Sequence, residues 1–139
     1  MYLIDTNVVL EILLGQKNAE EAKQFLQKAA PAQLYMTEFS LYSLGIILVH
    51  RKMYEAFLRT VDDLFVKGGM PLLRLGVEDM HQVAAVARKF RLDFDDAYQY
   101  VAAQRYGLTV VSFDSDFDRT EHGRKAPAEA AGGRAAGKR

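Results

Sequence analysis

Three aspartates pose the chemical question in this chain: Asp5, Asp96 and Asp114. Asp5 follows the apolar run Tyr2-Leu3-Ile4. Asp96 lies in Leu92-Asp93-Phe94-Asp95-Asp96-Ala97. Asp114 lies in Ser112-Phe113-Asp114-Ser115-Asp116-Phe117, again behind an apolar stretch. Taken singly, each has a local explanation. Asp5 suits a helix cap. Asp93 suits another cap, with Asp96 in the first turn at the positive end of the helix dipole. Asp114 suits a turn. Taken together, they suit a different chemistry. Carboxylates crowded into one place repel one another unless something neutralises them. A hard divalent cation, Mg²⁺ or Mn²⁺, does so while retaining waters. Such an ion activates water and clamps a phosphate diester, which is nuclease chemistry.

Whether the acids meet depends on the elements that carry them. Residues 2–4 read as a buried strand. A helix capped by Thr6 or Asn7 follows, burying Val8, Val9, Ile12 and Leu13 and stopping near Gly15. A second helix is expected over about 19–30, with Ala22, Phe25, Leu26 and Ala29 at helical spacing, closed by Pro31. Gln33–Met36 reads as a strand, and a helix begins near Ser40. A further helix covers about 53–67 and is broken by Gly68-Gly69. Pro71–Leu75 reads as a third strand. Val77-Glu78 opens a helix with Val83, Val86 and Phe90 on one face, and Asp95 to Tyr106 forms the next, stopped by Gly107. Leu108–Ser112 is the fourth strand. Strands alternating with helices predict an α/β fold with parallel pairing. Sheets of that kind bind ligands beyond the carboxyl ends of their strands, where Asp5 and Asp114 fall.

Bulk properties narrow the class. A chain of 139 residues is expected to form one domain. No apolar run approaches the roughly 18 residues of a membrane helix. The first residues lack the basic region of a secretory signal. The chain has no cysteine, which removes thiolate chemistry and disulfides and suits a cytoplasmic protein. The net charge of zero hides an asymmetry. Residues 1–118 carry 12 Lys/Arg against 16 Asp/Glu, and residues 119–139 carry 6 against 2. An acidic body does not hold nucleic acid by charge alone, so a metal would have to offset the acids. From Ala128 to Arg139 the chain is rich in Ala, Gly, Lys and Arg without apolar periodicity, and reads as a flexible basic tail after a domain over 1–127. His50, His81 and His122 read as structural or surface residues, and no phosphate-cradling glycine loop is present. A phosphohydrolase or receiver-like domain would need a second Asp two residues after Asp5, where Asn7 stands.

Ile4-Asp5-Thr6-Asn7, Asp96-Ala97 and Ser112-x-Asp114-x-Asp116-Phe117 occur in this order, with the lead-in Gly107-Leu108-Thr109-Val110-Val111. In these residues, over about 1–130, the chain resembles the PIN domain family, including VapC-like toxin ribonucleases. The resemblance implies a three-layer α/β/α fold with a central parallel sheet of four to five strands. It implies Mg²⁺- or Mn²⁺-dependent cleavage of single-stranded RNA, with Asp5, Asp96 and Asp114 as metal ligands and Asp116 contributing through water or shaping the turn. Thr6, Asn7 and Ser112 would stand behind the ligands or face the phosphate. It also implies a homodimer and an antitoxin protein as partner.

The chain departs from the family at its second acid, which usually follows the Ser/Thr ending strand 2 by about six residues. Thr37 ends that strand here, and the count lands on Ser43. Two readings follow. Glu38, expected in the strand–helix loop, reaches the cluster in place of the missing acid, with Ser43 lining the site. Alternatively, the site is weak or inactive and the chain is an RNA- or protein-binding module. The aromatic residues Tyr42, Tyr98, Tyr100, Tyr106, Phe113 and Phe117 suit base stacking but more often belong to a core. The segment Leu41–Leu48 is apolar nearly all round and is expected to serve both the core and a protein interface.

Overall fold

The structure is a computed structural model that describes residues 1–132. Four parallel strands form one sheet: β1 (Tyr2–Ile4), β2 (Leu34–Thr37), β3 (Leu72–Leu73) and β4 (Thr109–Val111), in the order β3-β2-β1-β4. Among the described residues, seven α-helices alternate with them: α1 (Thr6–Leu13), α2 (Ala19–Lys28), α3 (Glu38–His50), α4 (Tyr54–Val61), α5 (Met80–Phe90), α6 (Phe94–Tyr106) and α7 (Pro127–Gly132). The chain leaves β1 toward β2 on one side, and β4 returns to its other side. The sheet therefore changes direction between β1 and β4, which leaves a crevice at their carboxyl ends.

The alternating pleat of these short strands separates two cores. Leu3 and Val110 face Val83, Tyr98, Val101 and Phe117 on the side of α5 and α6. Ile4 and Val111 face Val8, Phe25, Met36 and Leu44 on the side of α1, α2 and α3. Adjacent residues pointing to opposite faces, each covered by helices, give the three-layer α/β/α arrangement.

The local signals mark boundaries that the sequence reading placed slightly differently. Asp5 caps α1: its side chain accepts from the Thr6 N–H, the capping role that the sequence offered to Asp5 as well as to Thr6 or Asn7. Thr37 caps α3, its Oγ1 accepting from the Ser40 N–H at 3.0 Å. The cap starts α3 at Glu38 rather than near Ser40, which draws Glu38 out of the expected loop and into the first helical turn. Asp93 occupies the cap position of α6 without a capping side-chain hydrogen bond. Gly107, at φ +68°, takes the left-handed conformation that ends α6 and turns the chain into β4. The helix expected over 53–67 is α4 continued by one wide turn over Asp62–Val66. The stretch from 128, read as a tail, begins inside α7. There Pro127 is buried, Ala130 and Ala131 pack toward the α2 side, and Glu21 accepts from the Ala128 N–H at 2.9 Å. Residues 133–139 of that tail lie outside the described residues.

Candidate active site

Asp5, Asp96 and Asp114 line a single cleft of about 250 Å³ at the carboxyl ends of β1 and β4. Each arrives by a different route. Asp5 is the first residue beyond β1 and is 8% exposed. Asp96 sits in the first turn of α6 and is 7% exposed. Asp114 follows β4 across Ser112 and Phe113, and its side chain caps the turn over Ser115–Arg119 by accepting from the Asp116 N–H at 2.8 Å. The same turn brings Asp116 forward. Carboxylate oxygens of Asp96, Asp114 and Asp116 lie within 4.8 Å of one another. The capping and cluster explanations of these acids hold together, because the strand ends that need caps are also the edge of the crevice.

Asp5 is held by neutral donors on both oxygens. Its Oδ1 accepts from the Thr6 N–H at 2.8 Å and from Gln99 Nε2 at 3.3 Å. Its Oδ2 accepts from Ser112 Oγ at 2.7 Å and from Asn7 Nδ2 at 3.4 Å. Ser112 Oγ in turn accepts from Asn7 Nδ2 at 3.1 Å and from the Asp114 N–H at 2.9 Å, so one hydroxyl ties two of the acids together. Asn7 Oδ1 accepts from the Phe113 N–H at 3.2 Å. Thr6 and Asn7 also line the cleft.

The electrostatics register the crowding. Burial, the largest cause, raises the Asp5 pKa. Hydrogen bonds from Ser112, Gln99 and Thr6 oppose the rise, and the charge of Asp114 adds to it. Asp96 is pushed up to about 8. Burial again leads, followed by the charges of Asp5, Asp114 and Asp95 and a hydrogen bond with Asp114. No Lys or Arg lines the cleft among the described residues. At its edge, Arg119 Nη1 donates to Asp116 Oδ1 at 3.0 Å.

Glu38 is not among the residues lining the cleft. Its place in the first turn of α3 sets it beside the strand end rather than in a reaching loop. Ser43 does line the cleft, on α3 with Phe39, Ser40 and Ile47. The exposed His50, His81 and His122 take no part in it. Of the aromatic residues, Tyr98, Tyr100 and Phe117 are buried in the core, whereas Tyr42 and Tyr106 are exposed.

The sequence reading missed Gln99 and Ser40, which are 4% and 1% exposed. Gln99 Nε2 donates to Ser40 Oγ at 2.6 Å as well as to Asp5, and its Oε1 accepts from Thr37 Oγ1 at 2.9 Å. One amide thus links β1, the start of α3 and α6. The available signal was spacing: Gln99 is one helical turn after Asp96, a polar side chain in an otherwise apolar stretch of helix.

The donor set fits a hard divalent cation. It consists of carboxylate oxygens, crowded enough that one carboxyl resists ionisation, with Arg119 on the outer acid, Asp116, as the neighbouring positive charge. Replacing Gln99 by Met keeps most of the volume and removes both donors. We expect Gln99→Met to weaken Mn²⁺ binding about tenfold, as is usual for losing a partner that orients a ligand. Titration calorimetry of the folded variant checks this, and an unchanged affinity would assign Gln99 to packing alone.

Comparison with known proteins agrees with this fold. A family model described as PIN domain matches residues 2–123. Curated proteins gave no significant match. Among solved structures, a toxin-antitoxin complex from Klebsiella pneumoniae superposes with a TM-score of 0.72 at 23% identity, covering 91% of this chain and 98% of that one. FitAcB from Neisseria gonorrhoeae gives 0.71 at 21% identity, with the same coverage of 91% and 98%. PAE2754 from Pyrobaculum aerophilum gives 0.66 at 20% identity, covering 94% and 92%. At these identities the likeness is one of fold.

Proposed function

This chain belongs to the PIN domain family, and from that premise we propose that it is a Mg²⁺- or Mn²⁺-dependent endoribonuclease acting on single-stranded RNA. The observation that carries the reading is that Asp5, Asp96 and Asp114 line one cleft that no Lys or Arg lines among the described residues, with Asp116 closing on Asp96 and Asp114 at its edge, where Arg119 pairs with it. Asp96, Asp114 and Asp116 would hold the ion, with Asp5 beside them. The fourth acid of the site is then Asp116 rather than Glu38. When bound, the ion supplies positive charge that lowers the pKa of a water and offsets charge on the phosphate.

The rest of the work falls to the chain. Ser112, Asn7, Gln99 and the Thr6 N–H fix the Asp5 carboxyl with neutral donors, and the Ser112, Gln99 and Thr6 hydrogen bonds oppose the rise in pKa that burial causes. Ser112 keeps Asp5 and Asp114 in register through one hydroxyl. Thr6, Asn7 and Ser43 offer small polar groups to a phosphate and ribose, and Leu10, Phe39 and Ile47 form the apolar wall against which water is excluded.

One neighbouring structure is a toxin–antitoxin complex by its name, and this chain suits the toxin role. The outer face of α3 leaves Tyr42, Ile46 and Val49 exposed, with Tyr54 and Leu58 on α4. A face of that kind suits a homodimer contact or an antitoxin. No helix among the described residues is long and apolar enough to cross a membrane, and a ribonuclease of this kind would act in the cytoplasm.

Ser43, standing in the cleft where the family usually has an acid, favours a second reading: a weak or inactive module that binds RNA or protein. One pair of measurements separates the two. The enzyme reading expects purified protein to cleave single-stranded RNA with Mn²⁺, to stop when the metal is chelated, and to bind Mn²⁺ at micromolar concentration. Absence of both binding and cleavage at millimolar metal would leave the module.

A further inference from the structure

Phe94 is the first residue of α6, two positions before Asp96, and it is 55% exposed. A large apolar side chain at the open start of a helix gains nothing from solvent, so its surroundings matter. Its ring lies 5.8 Å from the Phe39 ring and 6.2 Å from the Tyr98 ring, tilted at 43° and 49°. Phe39 and Tyr98 meet edge to face at 5.2 Å and 82°. Tyr98 is fixed from below, buried at 9% exposure with its hydroxyl accepting from the Leu75 N–H at 2.8 Å. Phe39 lines the acidic cleft. The three rings therefore run from the core, past the wall of the cleft, to a held aromatic surface at its rim.

We propose that Phe94 is a stacking platform for one unpaired base of the RNA strand next to the scissile phosphate. The inference rests on the ribonuclease reading and adds a substrate contact to it. A base is the part of the strand that fits there. It is uncharged and has a π-face, so exposed Asp93 and Asp95 on either side of Phe94 in the chain repel it less than they repel a phosphate. Packing against Phe39 and Tyr98 restrains the ring before binding, so stacking costs little further ordering. A paired base hides its face in the duplex stack, so the platform selects single strands.

The chain has no tryptophan, so Phe94→Trp installs a single fluorescent reporter at the platform. A short single-stranded 2′-O-methyl oligonucleotide, which resists cleavage, should quench that fluorescence, and the same sequence as a duplex should not. In cleavage assays with Mn²⁺, Phe94→Leu keeps apolar bulk but loses the π-face. It should raise KM for single-stranded RNA about tenfold, with the change in KM rather than kcat and Mn²⁺ affinity unmoved. Phe94→Tyr should restore the wild-type KM. An unquenched reporter, or a Leu variant with wild-type KM while the wild type cleaves normally, overturns the platform and leaves the exposed ring as a protein contact. Quenching by single strands in a protein that cleaves no RNA keeps the platform and removes the ribonuclease reading.

Discussion

Asp96→Asn should reduce cleavage of single-stranded RNA by at least about a thousandfold while making the metal-free protein more stable at neutral pH. The two effects have one cause. Asp96 is buried in the first turn of α6, and that burial, followed by the charges of Asp5, Asp114 and Asp95, pushes its pKa up to about 8. In the absence of a cation its ionised form works against the fold. Asparagine keeps the shape, removes the charge and its repulsion, and loses the anionic ligand oxygen. Relief of the repulsion should raise stability by about 1–3 kcal/mol. Removing a ligand that acts with its neighbours as a unit should cost most of the catalysis. Thermal unfolding and single-turnover cleavage read the two arms separately. A variant that loses stability and keeps activity would place Asp96 among the structural acids.

The second large effect concerns pH and metal together. Asp96 carries a folded-state pKa of about 8 against an ordinary value of 3.8, and Asp5 is raised in the same direction. Between those two values the folded chain binds more protons than the unfolded chain. Stability from these groups is therefore present at low pH and declines as pH rises from about 4 to about 8. The decline is opposite to that of a salt-bridged carboxylate. A divalent cation replaces the proton as the neutralising charge, so its benefit grows where the proton has left. Mg²⁺ or Mn²⁺ at millimolar concentration should raise Tm by about 5 °C near pH 8.5 and by little near pH 5. Calorimetric scans at the two pH values, with and without metal, give the comparison. Equal metal-induced shifts at both would mean that the cation does not displace protons from this cluster.

Much of this was legible in the chain because it is written in short-range patterns. Short, mostly apolar strands of two to four residues alternate with helices of 3.6-residue period, and each acid comes within three residues of a strand end or in the first turn of a helix. The parallel order follows from that alternation. Boundaries were less legible, since they depend on which side chain wins a cap. Of the three cap candidates Asp5, Thr6 and Asn7, Asp5 takes the cap of α1, and Thr37 advances the start of α3 to Glu38. That shift of about two residues removes Glu38 from the cleft's lining.

The sequence by itself determined the element order, the parallel α/β class and the placing of Asp5 and Asp114 at strand ends, because these depend on residue type and spacing along one stretch of chain. Tertiary structure alone decided that Asp116 turns back toward Asp96, that Gln99 supports Asp5, and that Phe94 is left at the rim. Those outcomes are contacts across about 18 to 94 positions of chain, such as Gln99 to Asp5 and Asp96 to Asp114. Hydrogen-bond geometry and burial choose among the side chains that the fold brings within reach, and no local pattern encodes that choice.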